Sequence, residues 1–148
     1  MKKKIFALEQ VLTFRKEVEN TQKLEFAVAK REYELADDLL RRDEEHMDRL
    51  NVEYMDRQLK GIYAIEMQMY ADFFRKKEND IKAQRNIVTI LDEQLGEKRE
   101  LLLDAAKEKK VLEGLKEKKF MAHNKTMAAK ERAFLDEVAL RKGRNHNK

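Results

Sequence analysis

The residues most suited to chemistry are three histidines, one of which follows a run of acidic side chains. Residues 43–46 read Asp-Glu-Glu-His, and carboxylates with a histidine on one helix hold a metal when a facing helix repeats them. The chain has no second run of this kind, and neither His123 nor His146 is spaced to share a helix face with His46. The sequence therefore predicts no metal site, and residues 43–46 are interpreted as a charged helix face.

Covalent chemistry and nucleotide hydrolysis also lack the residues that they need. The chain has no cysteine, which excludes disulfides and thiolate metal ligands. It has no loop of the G-x-x-x-x-G-K type, with which proteins cradle the phosphates of a nucleotide. We therefore predict that the chain is not an enzyme, has no cofactor and acts by binding other proteins.

The composition predicts long helices. Charged residues make up 42% of the 148 residues and apolar residues another 42%, whereas there is no proline and there are only four glycines. Dense charge with regular apolar spacing and few helix breakers is typical of long exposed helices. No apolar run approaches the roughly 20 residues that a membrane span requires, so no transmembrane segment is expected.

The first predicted helix covers about residues 5–57, and a turn at about 58–62 is centred on Gly61, because glycine commonly follows a helix end. Arg15, Glu19, Gln22 and Asp43 interrupt the apolar seam of this helix, and polar residues there weaken a coiled coil but help to fix its register. The apolar seam residues are Ile5, Leu8, Leu12, Phe26, Ala29, Tyr33, Ala36, Leu40, Met47, Leu50 and Tyr54.

The second predicted helix covers about residues 63–141, and a frayed basic tail covers 142–148. Its seam is expected to shift phase near Leu112 and Leu115. The other seam residues are Ile81, Gln84, Val88, Leu91, Leu95, Lys98, Leu102, Ala105, Phe120, Met127, Phe134 and Val138. Two long helices with one short connection pack antiparallel, so the predicted fold is an all-α, long antiparallel two-helix coiled-coil hairpin in a single domain.

Formal charge divides this hairpin into a basic end and an acidic hinge half. Residues 1–20 carry five Lys/Arg and three Asp/Glu, and residues 105–148 carry thirteen and six. Residues 21–104 carry fifteen Lys/Arg and twenty Asp/Glu. An antiparallel hairpin places the two basic ends together, where they favour an acidic protein partner. Direct nucleic-acid binding is the less favoured reading, because acids interleave with the bases of the C-terminal third.

Large apolar side chains crowd the residues that follow the predicted turn. Tyr70, Phe73 and Phe74 span more than one narrow helix stripe, and Met67 and Met69 precede them. Seam packing explains part of this cluster. Aromatic and methionine side chains outside the seam are typical of protein-binding surfaces, so this stretch is a candidate contact region.

Three stretches of the chain resemble the FliJ family of flagellar export components. The first is Phe6-x-Leu8-Glu9-x-Val11-Leu12-x-x-Arg15-x-x-x-Glu19. The second is Tyr70-x-x-Phe73-Phe74-x-x-Lys77-x-x-x-Ile81-x-x-Gln84. The third is Lys107-Glu108-Lys109-Lys110-x-Leu112-Glu113-x-Leu115-Lys116-Glu117-Lys118. Lys77 departs from the family pattern, in which an apolar residue, commonly leucine, stands at that place.

The resemblance implies a function and a set of partners. FliJ proteins resemble the coiled-coil stalk of rotary ATPases, and their partners are the hexameric export ATPase, the cytoplasmic part of the export gate and export chaperones. They act in the cytoplasm, at the membrane-associated base of the flagellum. By position, the gate-binding patch of the family maps onto Leu50, Tyr54, Tyr70, Phe73 and Phe74.

The basic end of the predicted hairpin is the part that would enter the ATPase ring. The residues expected to meet acidic loops of the ring are Lys2, Lys3, Lys4, Lys107, Lys109, Lys110, Arg141 and Lys142. The sequence leaves two alternatives to a flagellar export stalk open. One is an injectisome stalk related to FliJ, and the other is a structural coiled-coil scaffold that associates with itself through its open seam.

Overall fold

The structure is a computed structural model that describes residues 6–146. Two helices account for nearly all of this part of the chain: α1 spans Glu9–Lys60 and α2 spans Ala64–His146. No strand occurs among the described residues. Contacts between α1 and α2 pair earlier residues of one helix with later residues of the other, which confirms the predicted antiparallel two-helix coiled coil.

The connection between the helices is short because a glycine reverses the chain. Gly61 has a φ of 101°, in the left-handed region that glycine adopts at little cost, and it directly follows the last residue of α1. Opposite charges near the two helix ends stabilise the turn, since Arg57 of α1 lies 3.0 Å from Glu66 of α2. Each charge also suits its own helix end, with the acid at an N-terminus and the base at a C-terminus.

The helix bounds differ from those expected at both chain ends. α1 begins at Glu9, after a turn in which the Glu9 amide donates to the Phe6 carbonyl at 3.0 Å, whereas Ile5 lies outside the described residues. α2 continues past Arg141 to His146. Gly143 does not end the helix, because one interior glycine costs only about 1 kcal/mol of helix stability relative to alanine.

The chain divides into two compact units. The hinge unit is Asn20–Leu103, and the terminal unit is Met1–Glu19 with Asp104–Lys148. In the hinge unit, buried Ile81 and Leu95 anchor a seam whose other members are half-buried. In the terminal unit, Leu12 and Ala105 are the buried apolar residues. A two-helix coiled coil buries only one stripe of each helix, so few side chains in either unit are fully enclosed.

The seam of the terminal unit keeps one phase, and the predicted phase shift near Leu112 is wrong. Half-buried Lys109 and Leu112 follow buried Ala105 at steps of four and three, as a continuous heptad pattern requires. Leu115 is consequently 41% exposed. Of the four apolar residues that suggested a resumed seam, Phe120, Met127 and Phe134 are exposed as well, whereas Val138 is half-buried.

Candidate protein-interaction surfaces

Aromatic side chains from both helices pack together beside the hinge. The ring centroids of Tyr54 and Tyr70 lie 4.8 Å apart, and Phe74 lies 5.6 Å from Tyr54 and 6.1 Å from Tyr70. The Tyr70 hydroxyl donates to a Glu53 carboxylate oxygen at 3.2 Å. All three rings are half-buried, so they belong to the seam and tie the hinge end of α1 to the first turns of α2.

Phe73 differs from these three rings because it lies toward the outside of the seam. Its side chain is 43% exposed, and its ring meets the His46 imidazole edge-on with centroids 6.3 Å apart. Together with neighbouring residues it lines a shallow, mainly apolar depression on the hinge unit. The residues lining the depression, which we call the hinge depression, are Leu50, Arg57, Glu66, Met69, Tyr70 and Phe73.

The structure therefore brings together the five residues assigned by resemblance to a gate-binding patch, but in two roles. Tyr54 and Phe74 belong to the packed cluster, Leu50 and Phe73 border the hinge depression, and Tyr70 does both. Sequence reasoning missed Arg57 and Glu66, the ion pair that also lines it. The opposite charges on the two sides of Gly61 are the signal that indicates this pair.

Lys77 lies in the seam, and its place there explains the departure from the family pattern. Its ammonium lies 3.0 Å from the Asp43 carboxylate, which also accepts a hydrogen bond of 2.6 Å from the Gln84 amide. All three side chains are at least half-buried, and we call them the polar layer. Hydrogen bonds from Lys77 and from Gln84 hold the pKa of Asp43 below its usual value of 3.8.

The predicted ring-binding lysines of the terminal unit are not equivalent. Lys107 and Lys110 are exposed. Lys109 instead enters the seam, where its ammonium donates to Oε1 of the buried Glu19 at 3.0 Å, and this hydrogen bond raises the pKa of Lys109. The Lys109 ammonium is therefore paired inside the coiled coil, and its assignment to the ring stays a prediction.

Arg141 and Lys142, which were also assigned to the ring, do not form one cluster with these lysines. Arg141 and Lys142 are exposed on α2, more than thirty residues after Lys107, which corresponds to about 50 Å along a helix. Arg141 lies 3.1 Å from Glu137, one turn earlier. Lys2, Lys3 and Lys4 lie outside the described residues.

The distribution of charge follows the two units closely. The terminal unit contains eighteen Lys/Arg and ten Asp/Glu residues, a formal charge of +8. The hinge unit contains fifteen and nineteen, a formal charge of −4. Each unit thus has its own sign, and the basic residues of the terminal unit outnumber those that its internal ion pairs with Glu9, Glu19 and Glu108 engage.

The described part of the chain has neither a metal cluster nor a membrane-spanning helix. Between residues 6 and 146, no group of three or more histidine or acidic side chains is placed to hold a metal ion. Neither α1 nor α2 contains a stretch that is both long and apolar enough to cross a bilayer, within the same residues.

Comparison with known proteins identifies one family. The sequence pattern of the family described as "Flagellar FliJ protein" matches residues 3–148, which is nearly the whole chain. Searches among curated proteins and among solved structures gave no match.

Proposed function

Because the chain belongs to the FliJ family and is thereby a component of flagellar protein export, we propose that it is the coiled-coil stalk of the export machine. In this role the terminal unit binds the hexameric export ATPase, and the hinge unit binds the cytoplasmic part of the export gate. The chain also escorts export chaperones and works at the cytoplasmic face of the inner membrane, as its resemblance to FliJ implies. It is not itself an enzyme.

The observation that carries the proposal is the division of charge between the two units. A formal charge of +8 on the terminal unit attracts acidic loops of a ring, whereas the −4 of the hinge unit opposes insertion of the wrong end. Exposed Lys107 and Lys110 are available for such contacts, with Arg141 and Lys142 farther along α2. Rim charges of this kind mainly raise the association rate and select the orientation of docking.

The hinge depression is the surface that we assign to the gate. Its exposed aromatic ring, Phe73, and the flexible side chain of Met69 provide apolar contact area, and Met69 is 67% exposed. The Arg57–Glu66 pair supplies polar contacts at its margin. An apolar centre with a charged margin is the usual arrangement of a protein interface.

The ATPase contact is tested by reversing the charge of two exposed lysines. Lys107→Glu with Lys110→Glu is expected to reduce stimulation of the matched export ATPase by about tenfold, because four units of charge change at the docking surface. Lys76→Glu with Lys82→Glu, also at exposed positions but in the hinge unit, is the control with the same total charge. ATP hydrolysis is measured with each variant at low and physiological salt.

Equal loss in both double variants would contradict the assignment of the ring contact to the terminal unit. No stimulation by the unaltered chain, measured with its own partner ATPase, would contradict the stalk function itself. Circular dichroism shows whether each variant is still helical. Stimulation of an injectisome ATPase, but not of a flagellar one, would indicate that the chain is the stalk of an injectisome.

A scaffold that associates with itself is the second candidate function. It is favoured by large apolar side chains that the hairpin leaves exposed, such as Phe120 and Phe134, both 64% exposed. Sedimentation velocity separates the two candidates. A monomer whose sedimentation coefficient does not change with concentration supports the stalk, whereas a tight dimer or a filament supports the scaffold.

A further inference from the structure

Among residues 6–146, almost nothing packs against the last part of α2. Phe6, the first described residue, already lies over Lys119 of α2, with the ammonium 5.4 Å from the ring centroid. From Phe120 to Asn145 every residue is exposed except His123 and Val138, which are half-buried. We call residues 120–145 the C-terminal segment. The segment belongs wholly to the terminal unit.

The large apolar side chains between Phe120 and Val138 lie on one face of the C-terminal segment. At 100° per residue, they fall within an arc of about 140°. Asn124 and Glu131 also lie within this arc, whereas Ala122, Ala129, Ala133 and Leu140 lie on the opposite face. Five of them are exposed by 43–64%. The members of this apolar arc are Phe120, Met121, Met127, Ala128, Phe134, Leu135, Val138 and Ala139.

Basic side chains border the apolar arc on both sides. Lys125 and Arg132 follow one border, and Lys130 and Arg141 follow the other, by the same helical spacing. The acids Asp136 and Glu137 project farther from the arc than these bases do. Long basic side chains at such borders can keep their charges in the headgroup region while their methylene groups cover apolar surface.

We propose that the C-terminal segment lies in the surface of an anionic lipid bilayer, with the apolar arc inserted and the four bordering bases among the headgroups. An apolar face that contains phenylalanine and leucine and is flanked by Lys/Arg is typical of helices that bind membrane surfaces. The segment has six Lys/Arg and three Asp/Glu, so its net positive charge suits an anionic leaflet.

The width of the arc favours a bilayer over a single partner helix. A two-stranded coiled coil uses a narrower a/d stripe, whereas here Phe120 and Met121, and likewise Phe134 and Leu135, are adjacent pairs that widen the face. Glu131 is the only acid within the arc. Its carboxylate opposes insertion and repels anionic headgroups, so it limits the strength of binding and makes binding reversible.

This inference extends the proposed location at the inner membrane but does not depend on the ATPase contact. The segment contains Arg141 and Lys142, which were assigned to the ring. It therefore cannot bind the ring and the bilayer at the same time. Vesicle binding is measured without the ATPase. A negative result there leaves the stalk function standing, and a loss of ATPase stimulation leaves the lipid contact standing.

The experiment measures binding of the full chain to vesicles of phosphatidylglycerol mixed with phosphatidylcholine, by sedimentation of the vesicles. Leu135→Glu places a charge in the apolar arc and is expected to lower the partition coefficient by tenfold or more, since burial of a leucine contributes roughly that factor. Leu140→Glu is the matched control, because Leu140 is 69% exposed but projects opposite the centre of the arc.

The two variants add the same charge five residues apart, so only insertion distinguishes them. Leu140→Glu is expected to lower binding by no more than about threefold, through its charge alone. Glu131→Gln is expected to strengthen binding, and vesicles of phosphatidylcholine alone are expected to bind at least tenfold less protein.

Three results would overturn the proposal. They are equal binding to anionic and neutral vesicles, equal loss with Leu135→Glu and Leu140→Glu, and no binding of the unaltered chain to phosphatidylglycerol vesicles. In the last case, a Leu135→Glu chain that fails to stimulate the ATPase would assign the apolar arc to a protein partner instead.

Discussion

At the scale of single residues, the most informative feature is the polar layer in the seam of the hinge unit. Lys77 would be an isolated charge in the seam if it did not donate to Asp43, whose other carboxylate oxygen accepts from Gln84. Burial of one charge without a partner is strongly destabilising, whereas a paired charge is tolerated and favours one register of the helices. The departure from the family pattern at Lys77 is thus matched by its partners within this chain.

Asp43→Ala is expected to lower the free energy of unfolding by about 1–3 kcal/mol, because it leaves Lys77 and Gln84 without their shared acceptor. Asp43→Leu combined with Lys77→Leu should restore much of that loss, since an apolar pair replaces the charged one. Chemical denaturation of Asp43→Leu, Lys77→Leu and the double variant measures the coupling. Additive losses would show that the pair does not interact.

The same carboxylate makes the polar layer sensitive to acid. The pKa of Asp43 is lower in the folded chain than its usual 3.8, so the layer contributes full stability above that value and loses it as pH falls through the folded pKa. The advantage of the unaltered chain over Asp43→Asn should therefore shrink below about pH 4. Unfolding curves of both proteins at neutral and acidic pH check the sign.

The two neighbouring phenylalanines should respond differently to truncation. Phe74→Ala is expected to lower the free energy of unfolding by about 2–4 kcal/mol, because its ring packs on Tyr54 and Tyr70. Phe73→Ala should weaken binding to the gate about tenfold and leave unfolding nearly unchanged, since the ring is 43% exposed. Thermal unfolding and a binding assay with the gate fragment decide between these roles. Similar destabilisation by both substitutions would place Phe73 in the seam.

At the scale of elements, both helices are long because the sequence contains few residues that break a helix. Without proline, and with interior glycines that cost little, α1 runs for 52 residues and α2 for 83. The heptad spacing of apolar residues predicts the seam of the hinge unit, where Phe26, Tyr33 and Leu40 are half-buried as expected. The same spacing does not predict the seam after Ala105, because Lys109 occupies a seam position there and is not an apolar residue.

Glycine substitutions test the difference between the hinge and the helix interior. Gly61→Ala is expected to destabilise the chain by about 1 kcal/mol or more, because a side chain is strained at a φ of 101°. Gly96→Ala should stabilise it by a similar amount, since a methyl group there meets no atom within 4 Å and alanine favours the helix. Thermal unfolding of both variants gives the comparison. A stabilising Gly61→Ala would contradict the turn geometry.

At the scale of the whole molecule, the helices pack against each other over only part of the length of α2. In the terminal unit, the described contacts between α2 and residues 6–19 reach as far as Lys119. The C-terminal segment beyond that residue contributes exposed apolar and basic side chains but little interhelical packing. Truncation of the C-terminal segment therefore tests whether it is needed for the fold or for the proposed contacts.

A chain that ends at Lys119 is expected to keep its thermal midpoint within a few degrees, because the seam residues of both units remain. It should lose binding to phosphatidylglycerol vesicles and most of its ATPase stimulation. Circular dichroism, vesicle sedimentation and ATP hydrolysis are measured on the same preparation. A large fall in the midpoint would show that the C-terminal segment supports the fold.

The family resemblance, the helical fold and the division of charge could all be predicted from the sequence, because each depends on composition or on regular spacing along a helix. The roles of individual charges could not, because they depend on which side chains meet across the seam. Lys107 and Lys109 are alike in the sequence, yet only Lys109 forms an ion pair with Glu19. The phenylalanines at 73 and 74 are likewise distinguished only by packing, since a step of one residue rotates a side chain by 100° around the helix and turns it from partner to solvent.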